Sequence, residues 1–96
     1  MAEYRLSAAA EADFEAIYLY TDETFGTRQA EAYTLGLKQT FERLADLPRM
    51  GRSADNFRPG LFRFRYQSHV IFYTIETHHI MIRRVLHGRM DFASRL

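Results

Sequence analysis

The sequence predicts an α+β fold in the order strand, helix, helix, strand, strand, strand. An N-terminal helical hairpin packs on a small, mainly antiparallel, twisted sheet. Three observations predict it. Residues 28–47 carry an apolar stripe at helical spacing, Ala30, Tyr33, Leu37, Phe41, Leu44 and Leu47. Residues 69–76 and 80–87 are two β-rich runs separated by a short break, the pattern of a hairpin. Pro48 stops the helical pattern before the β-rich half begins, because the residue before proline avoids helical torsions. At 96 residues the chain makes one domain, residues 1–96.

Each element has its own local reason. Tyr4-Arg5-Leu6 is a short strand, and Ser7 stands where its hydroxyl can accept from an orphan amide of the following helix. Residues 8–24 are Ala-rich and free of Gly and Pro, with Ala10, Phe14, Ile17, Thr21 and Phe25 on one face. Gly26 ends that helix and Thr27 is placed to cap the next. So short a break folds the two helices back on each other. Gly36 interrupts the second helix at a cost of about 1 kcal/mol against Ala, and leaves room for another backbone to approach. Residues 49–60 are polar and read as a loop. Leu61–Tyr66 then alternates, with Phe62, Phe64 and Tyr66 on one face and Leu61, Arg63 and Arg65 on the other. Gln67-Ser68 is a tight connection to the hairpin, and residues 92–96 are too short to assign.

The hairpin strands His69–Glu76 and Ile80–His87 are apolar at odd and even positions alike. An antiparallel strand wetted on one side would alternate. Both faces therefore need cover, and a chain this small is expected to leave apolar surface for a partner.

Charge is segregated. Residues 1–48 hold four basic and nine acidic side chains, for −5, and residues 49–96 hold nine basic and three acidic, for +6. All nine later cations are arginine, which suits planar contacts with carboxylate and phosphate. The plain reading is a solvated surface; the functional one is an acidic or nucleic-acid-associated partner facing the second half. The chain has no cysteine, hence no disulfide and no thiolate chemistry. The first residues, Met1 to Arg5, lack the apolar core of a leader, and no apolar run approaches the roughly 20 residues of a membrane span. A cytoplasmic protein with no membrane contact is expected.

Chemistry is sparse. His78 and His79 sit at the hairpin tip and point apart in a strand, so no metal site is expected, and no cofactor. No serine stands in a nucleophile elbow, and no phosphate-binding glycine loop is present. Ribonuclease chemistry would need a base, an acid and cations around the phosphate. His87 with Arg63, Arg65, Arg83 and Arg84 offers part of that set. Strand parity, however, puts Arg84 on the opposite face from Arg83 and His87. The bland readings are an Arg84 that snorkels from a mostly apolar face or pairs with a helix carboxylate, and a His87 bonded to backbone. No catalytic residue is assigned.

The ordered pieces of the chain resemble the ParE toxin family of ParD–ParE toxin–antitoxin systems, within the broader ParE/RelE superfamily. They run nearly end to end: Tyr4-Arg5-Leu6-Ser7; Ala10, Asp13, Phe14, Ile17 and Tyr20; Phe25-Gly26-x-x-Gln29-Ala30-x-x-Tyr33; Leu44-Ala45-x-x-Pro48-x-x-Gly51; Arg58-Pro59-Gly60-Leu61-x-Arg63-Phe64; His69 to Tyr73; and Arg84-Val85-Leu86-His87-x-Arg89-Met90-Asp91. The resemblance implies a non-enzymatic toxin that poisons DNA gyrase by binding and is neutralised by a ParD-like antitoxin in a hetero-oligomer. DNA would be met only indirectly, through antitoxin or gyrase. Arg63, Arg65, Arg84, His87 and Arg89 are the target-binding candidates. Phe62, Phe64, Tyr66, Phe72 and Tyr73 are the antitoxin-binding candidates. A flexible antitoxin tail that folds as it binds could cover the apolar surface expected above.

Two alternatives stand beside this. RelE-type relatives cut mRNA on the ribosome with cations on the second strand, an Arg entering the third, and a Tyr or His in the tail. Arg63 and Arg65 imitate the first feature and His87 the last. Val70 stands where the third-strand Arg would be, and no Tyr follows Tyr73. The other alternative is an inert member that only binds its antitoxin.

Overall fold

The computed structural model describes residues 3–96; Met1 and Ala2, part of the stretch read above for a leader, lie outside them. The order is β1 (Tyr4–Leu6), α1 (Ala8–Phe25), α2 (Thr27–Asp46), a 3₁₀ turn (Pro48–Met50), β2 (Arg52–Ser53), β3 (Leu61–Tyr66), β4 (His69–Ile75), β5 (Ile80–His87) and α3 (Phe92–Arg95). The α+β class and the order of the long elements follow the sequence reading. Three short elements were not foreseen: the 3₁₀ turn and β2, at and inside the stretch read as loop, and α3 at the tail. None is long enough to show a period.

The five strands form one sheet in the order β1-β5-β4-β3-β2. β1 runs parallel to β5, Tyr4 to Leu6 against Ile80 to Ile82, and every other pairing is antiparallel. The long connection that this parallel pair requires runs through the helical hairpin and the other three strands. Ser7 begins α1 as read: its Oγ accepts from Ala10 N at 3.0 Å and donates to Arg83 O at 2.9 Å. Thr27 does not cap α2. It lies inside the helix after Gly26, and its hydroxyl donates to Asp22 Oδ1 at 2.6 Å. Gly26 adopts φ +98°, which a glycine can take without strain.

The helix-packed face of the sheet holds the main core. Leu37, Phe41 and Leu44 of α2 and Ile17 of α1 meet Ile71, Tyr73, Ile80, Ile82 and Val85. The outer ends of both helical stripes stay wet, Phe25 at 67% and Leu47 at 61% exposure, because each lies where its helix stops. Gly36 admits a side chain rather than a backbone: the Tyr66 hydroxyl occupies the space a Cβ would need.

The expectation of an uncovered second face is corrected. Ala54, Leu61, Val70, Phe72 and Leu86 form a second buried cluster, roofed by Phe57, Phe92 and Leu96. The loop before β3 and the tail from α3 onward supply the roof, in an edge-to-face aromatic trio: Phe92 stands 5.0 Å from Phe72, and Phe57 stands 6.1 Å from Phe92.

Candidate functional site

The sheet divides the residues singled out in the sequence. Strand alternation puts Phe62, Phe64 and Tyr66 beneath the helical hairpin, where they pack half-buried against the main core. Arg63 and Arg65 face the other way. There they line a cleft of about 400 Å³ with Met50, Arg52, Val70, Gly88 and Phe92, which Phe64 also borders. Arg65 Nε donates to Gln67 O at 2.9 Å. Among the described residues, none of these three arginines belongs to an ion pair.

Phe72 and Tyr73 are both 0% exposed, which removes them from any contact surface. They fill the two cores on opposite sides of β4, and Tyr73 is fixed further by its hydroxyl. That group donates to Pro48 O at 2.7 Å and accepts from Gly51 N at 3.0 Å. Burial pushes its ionisation upward.

The last strand departs from simple parity. A bulge lies where Phe72 pairs with Arg84 and Tyr73 with Ile82, so Arg83 has no partner and the alternation shifts by one. Arg83 therefore parts from His87, against the sequence reading. It donates to Thr74 Oγ1 at 3.1 Å and meets Glu76 at 3.4 Å, on the face away from the helices. Of its two bland readings, Arg84 takes the paired one. Its Nε and Nη2 each donate to Asp13 at 2.8 Å, and Nη1 donates to Arg95 O at 2.9 Å. The carboxylate keeps the guanidinium firmly charged. Asp13 also accepts from Val85 N at 2.9 Å, sealing the edge of β5 beyond the end of β1.

His87 lies on the helix side, its ring 5.3 Å from that of His69, in a groove of about 370 Å³ shared with Asp13, Ile17, Tyr20 and Met90. Its Nδ1 accepts from Arg89 N at 3.1 Å, so the backbone contact foreseen for His87 is present. Arg89 itself is exposed. His69 shares a 2.7 Å hydrogen bond with the Tyr33 hydroxyl, and its pKa falls to about 4, first because burial disfavours the imidazolium and then because His87 is near. Arg63 and Arg65 thus stand on one side of the sheet and His87 on the other. No group of three or more possible metal ligands occurs among the described residues.

Sequence reasoning missed Arg52, Asp13 and His69 as members of these clusters. Asp13 carried a signal: with Ala10 and Ile17 it sits at spacings of three and four on the buried stripe, where a lone carboxylate needs a partner. Arg52 gave none, because nothing in a polar loop marks a two-residue strand.

A family model described as ParE toxin of type II toxin-antitoxin system, parDE, matches residues 4–92. The chain belongs to the ParE toxin family. Among ParE relatives, Toxin ParE1 of Caulobacter vibrioides is 38% identical over 96 residues, covering 100% of this chain and 99% of the relative. Toxin ParE1 of Mycobacterium tuberculosis is 42% identical over 89 residues, covering 92% of this chain and 91% of the relative. A solved structure titled as the chromosomal ParDE TA system from P. aeruginosa superposes with a TM-score of 0.78 at 18% identity, over 91% of this chain and 96% of that one. It shares the fold seen here. The ParE fold therefore carries, in this chain, an arginine cleft on one face and a histidine groove on the other.

Proposed function

We propose that this ParE toxin poisons DNA gyrase by binding to it, without catalysis of its own, and that a ParD-like antitoxin holds it inactive. The observation that carries the reading is the family match over residues 4–92. The division of the site supports the non-catalytic part. An endonuclease built on Arg63, Arg65 and His87 would need all three around one phosphate, and the sheet lies between them. Arg84, committed to Asp13, acts by holding the tail in place, which leaves His87 and exposed Arg89 as the tail's contacts to the target. On the antitoxin side, Phe62, Phe64 and Tyr66 keep surface to offer, and Phe72 and Tyr73 do not.

The test is purified protein added to gyrase and plasmid DNA. Loss of supercoiling with accumulation of cleaved DNA, reversed by a ParD-like antitoxin, is the expected result. Gyrase that works unimpaired at saturating toxin overturns the proposal. Cutting of translated mRNA that is lost in His87→Ala would install the endonuclease reading in its place.

A further inference from the structure

His69 and His87 are direct partners on the β4–β5 ladder, where Cβ atoms lie about 5 Å apart. Their ring centres are 5.3 Å apart. Each Nδ1 is already engaged, His69 with the Tyr33 hydroxyl at 2.7 Å and His87 with Arg89 N at 3.1 Å. Only the two Nε2 atoms are free. Among the described residues no fully buried side-chain nitrogen lacks a hydrogen-bond partner, so both Nε2 atoms can be reached from solvent. With a metal–nitrogen bond of about 2.0 Å and about 1.1 Å more to the ring centre, an ion shared by both would stand roughly 3.2 Å from each centre. Centres 5.3 Å apart subtend about 110° at that point, the angle of a near-tetrahedral site. A third donor is close. Met90 N donates to His87 O at 3.0 Å, and this turn brings Met90 to the wall of the same groove, where it keeps 39% exposure.

We propose that His69, His87 and Met90 hold a single Cu(I) ion in the groove beside α1, at the paired ends of β4 and β5. The inference goes beyond the gyrase reading and stands without it. The donor set decides the ion. Two imidazoles and a thioether are neutral, and a thioether is a soft ligand that selects Cu(I). Asp13 is the carboxylate that lines the groove, and its oxygens are taken by Arg84 and Val85 N. A divalent ion would enter with no free anion to balance it, against apolar walls of Ala16, Ile17 and Val85. In the tautomer that donates from Nδ1 to the Tyr33 hydroxyl, His69 presents the lone pair of Nε2 to the groove. At His87, binding moves the ring proton from Nε2 to Nδ1 and gives up the contact with Arg89 N.

The experiment titrates the full-length protein, without gyrase and under argon, with Cu(I) held by the coloured chelator bicinchoninate. Expected is withdrawal of one ion per chain. X-ray absorption of the parent protein at the copper edge should show two nitrogen neighbours and one sulfur. His69→Gln and His87→Gln should each weaken binding about a hundredfold, and Tyr33→Phe, which leaves the His69 ring unsupported, about tenfold. Met90→Leu should weaken it and remove the sulfur signal. His78→Gln, at an exposed position of the hairpin tip, should change nothing. The absorption spectrum is read on the parent chain, so the site is judged even where a variant fails to fold. Four findings would each overturn the proposal: no withdrawal of copper, an equal loss in His78→Gln, a spectrum without sulfur, or Zn(II) bound more tightly than Cu(I) by the same pair.

Discussion

The two faces of the sheet are both closed, but by different means. On the helix side, α1 and α2 lay a continuous surface over Ile71, Tyr73, Ile80, Ile82 and Val85, and Phe41 is buried completely at its centre. On the other side, three side chains from a loop and the chain's end do the covering, and Phe92 itself keeps some exposure. One face is a structural core. The other is a thin apolar roof bordered by unneutralised arginines. The comparison teaches that burial alone does not make two faces alike: the second face carries charge left without a partner.

Two substitutions should measure that difference most directly. Phe41→Ala empties the centre of the main core and should cost about 3–5 kcal/mol in urea unfolding. Phe92→Ala trims the roof, where the site is already part-open, and should cost roughly 1–2 kcal/mol. Equal costs would mean that both faces contribute alike, and the contrast would fail.

The next largest effect lies where the faces meet. Asp13→Ala would leave the Arg84 guanidinium and Val85 N without their acceptor at the rim of β5. The pair is mostly shielded, with side-chain exposures of 24% for Arg84 and 14% for Asp13, so the loss should be about 2–4 kcal/mol. The double variant with Arg84→Met should recover part of it. A single variant as stable as the parent would show that the link does not fasten the tail.

A further effect is a titration on the helix side. His69 has its pKa lowered from 6.5 to about 4, so the unfolded chain binds this proton more readily than the folded one. Its contribution to stability is fully present above pH 6.5 and is lost as pH falls from 6.5 towards 4. Partial exposure and screening bring the expected size to about 2 kcal/mol. His69→Gln should flatten this limb of the stability profile measured between pH 7 and 4, and an unchanged profile would assign the limb to other groups.

The long elements were legible because their periods are plain: the α2 stripe repeats every three or four residues through Leu44, and β3 alternates aromatic with arginine from Phe62 to Tyr66. What was not legible has a physical cause in each case. The apolar stretch of β4 reads the same whether its second face meets a partner or the chain itself. Only the fold shows that Phe57, Phe92 and Leu96 come back to roof Phe72. The parity argument failed at Arg83 because a bulge resets the alternation, and nothing local announces it. The ion pair of Arg84 was foreseen in kind, and the Asp13 that makes it was readable from its place on the buried stripe.

The parallel pairing of β1 with β5 has a consequence for biosynthesis. Tyr4 to Leu6 must wait for Ile80 to Ile82, so the sheet cannot be completed until residue 82 has left the ribosome. Contacts this distant in sequence are slow to form, because the loop must close before they return any energy. A growing chain of this protein thus holds an unfinished sheet until its last strand is made.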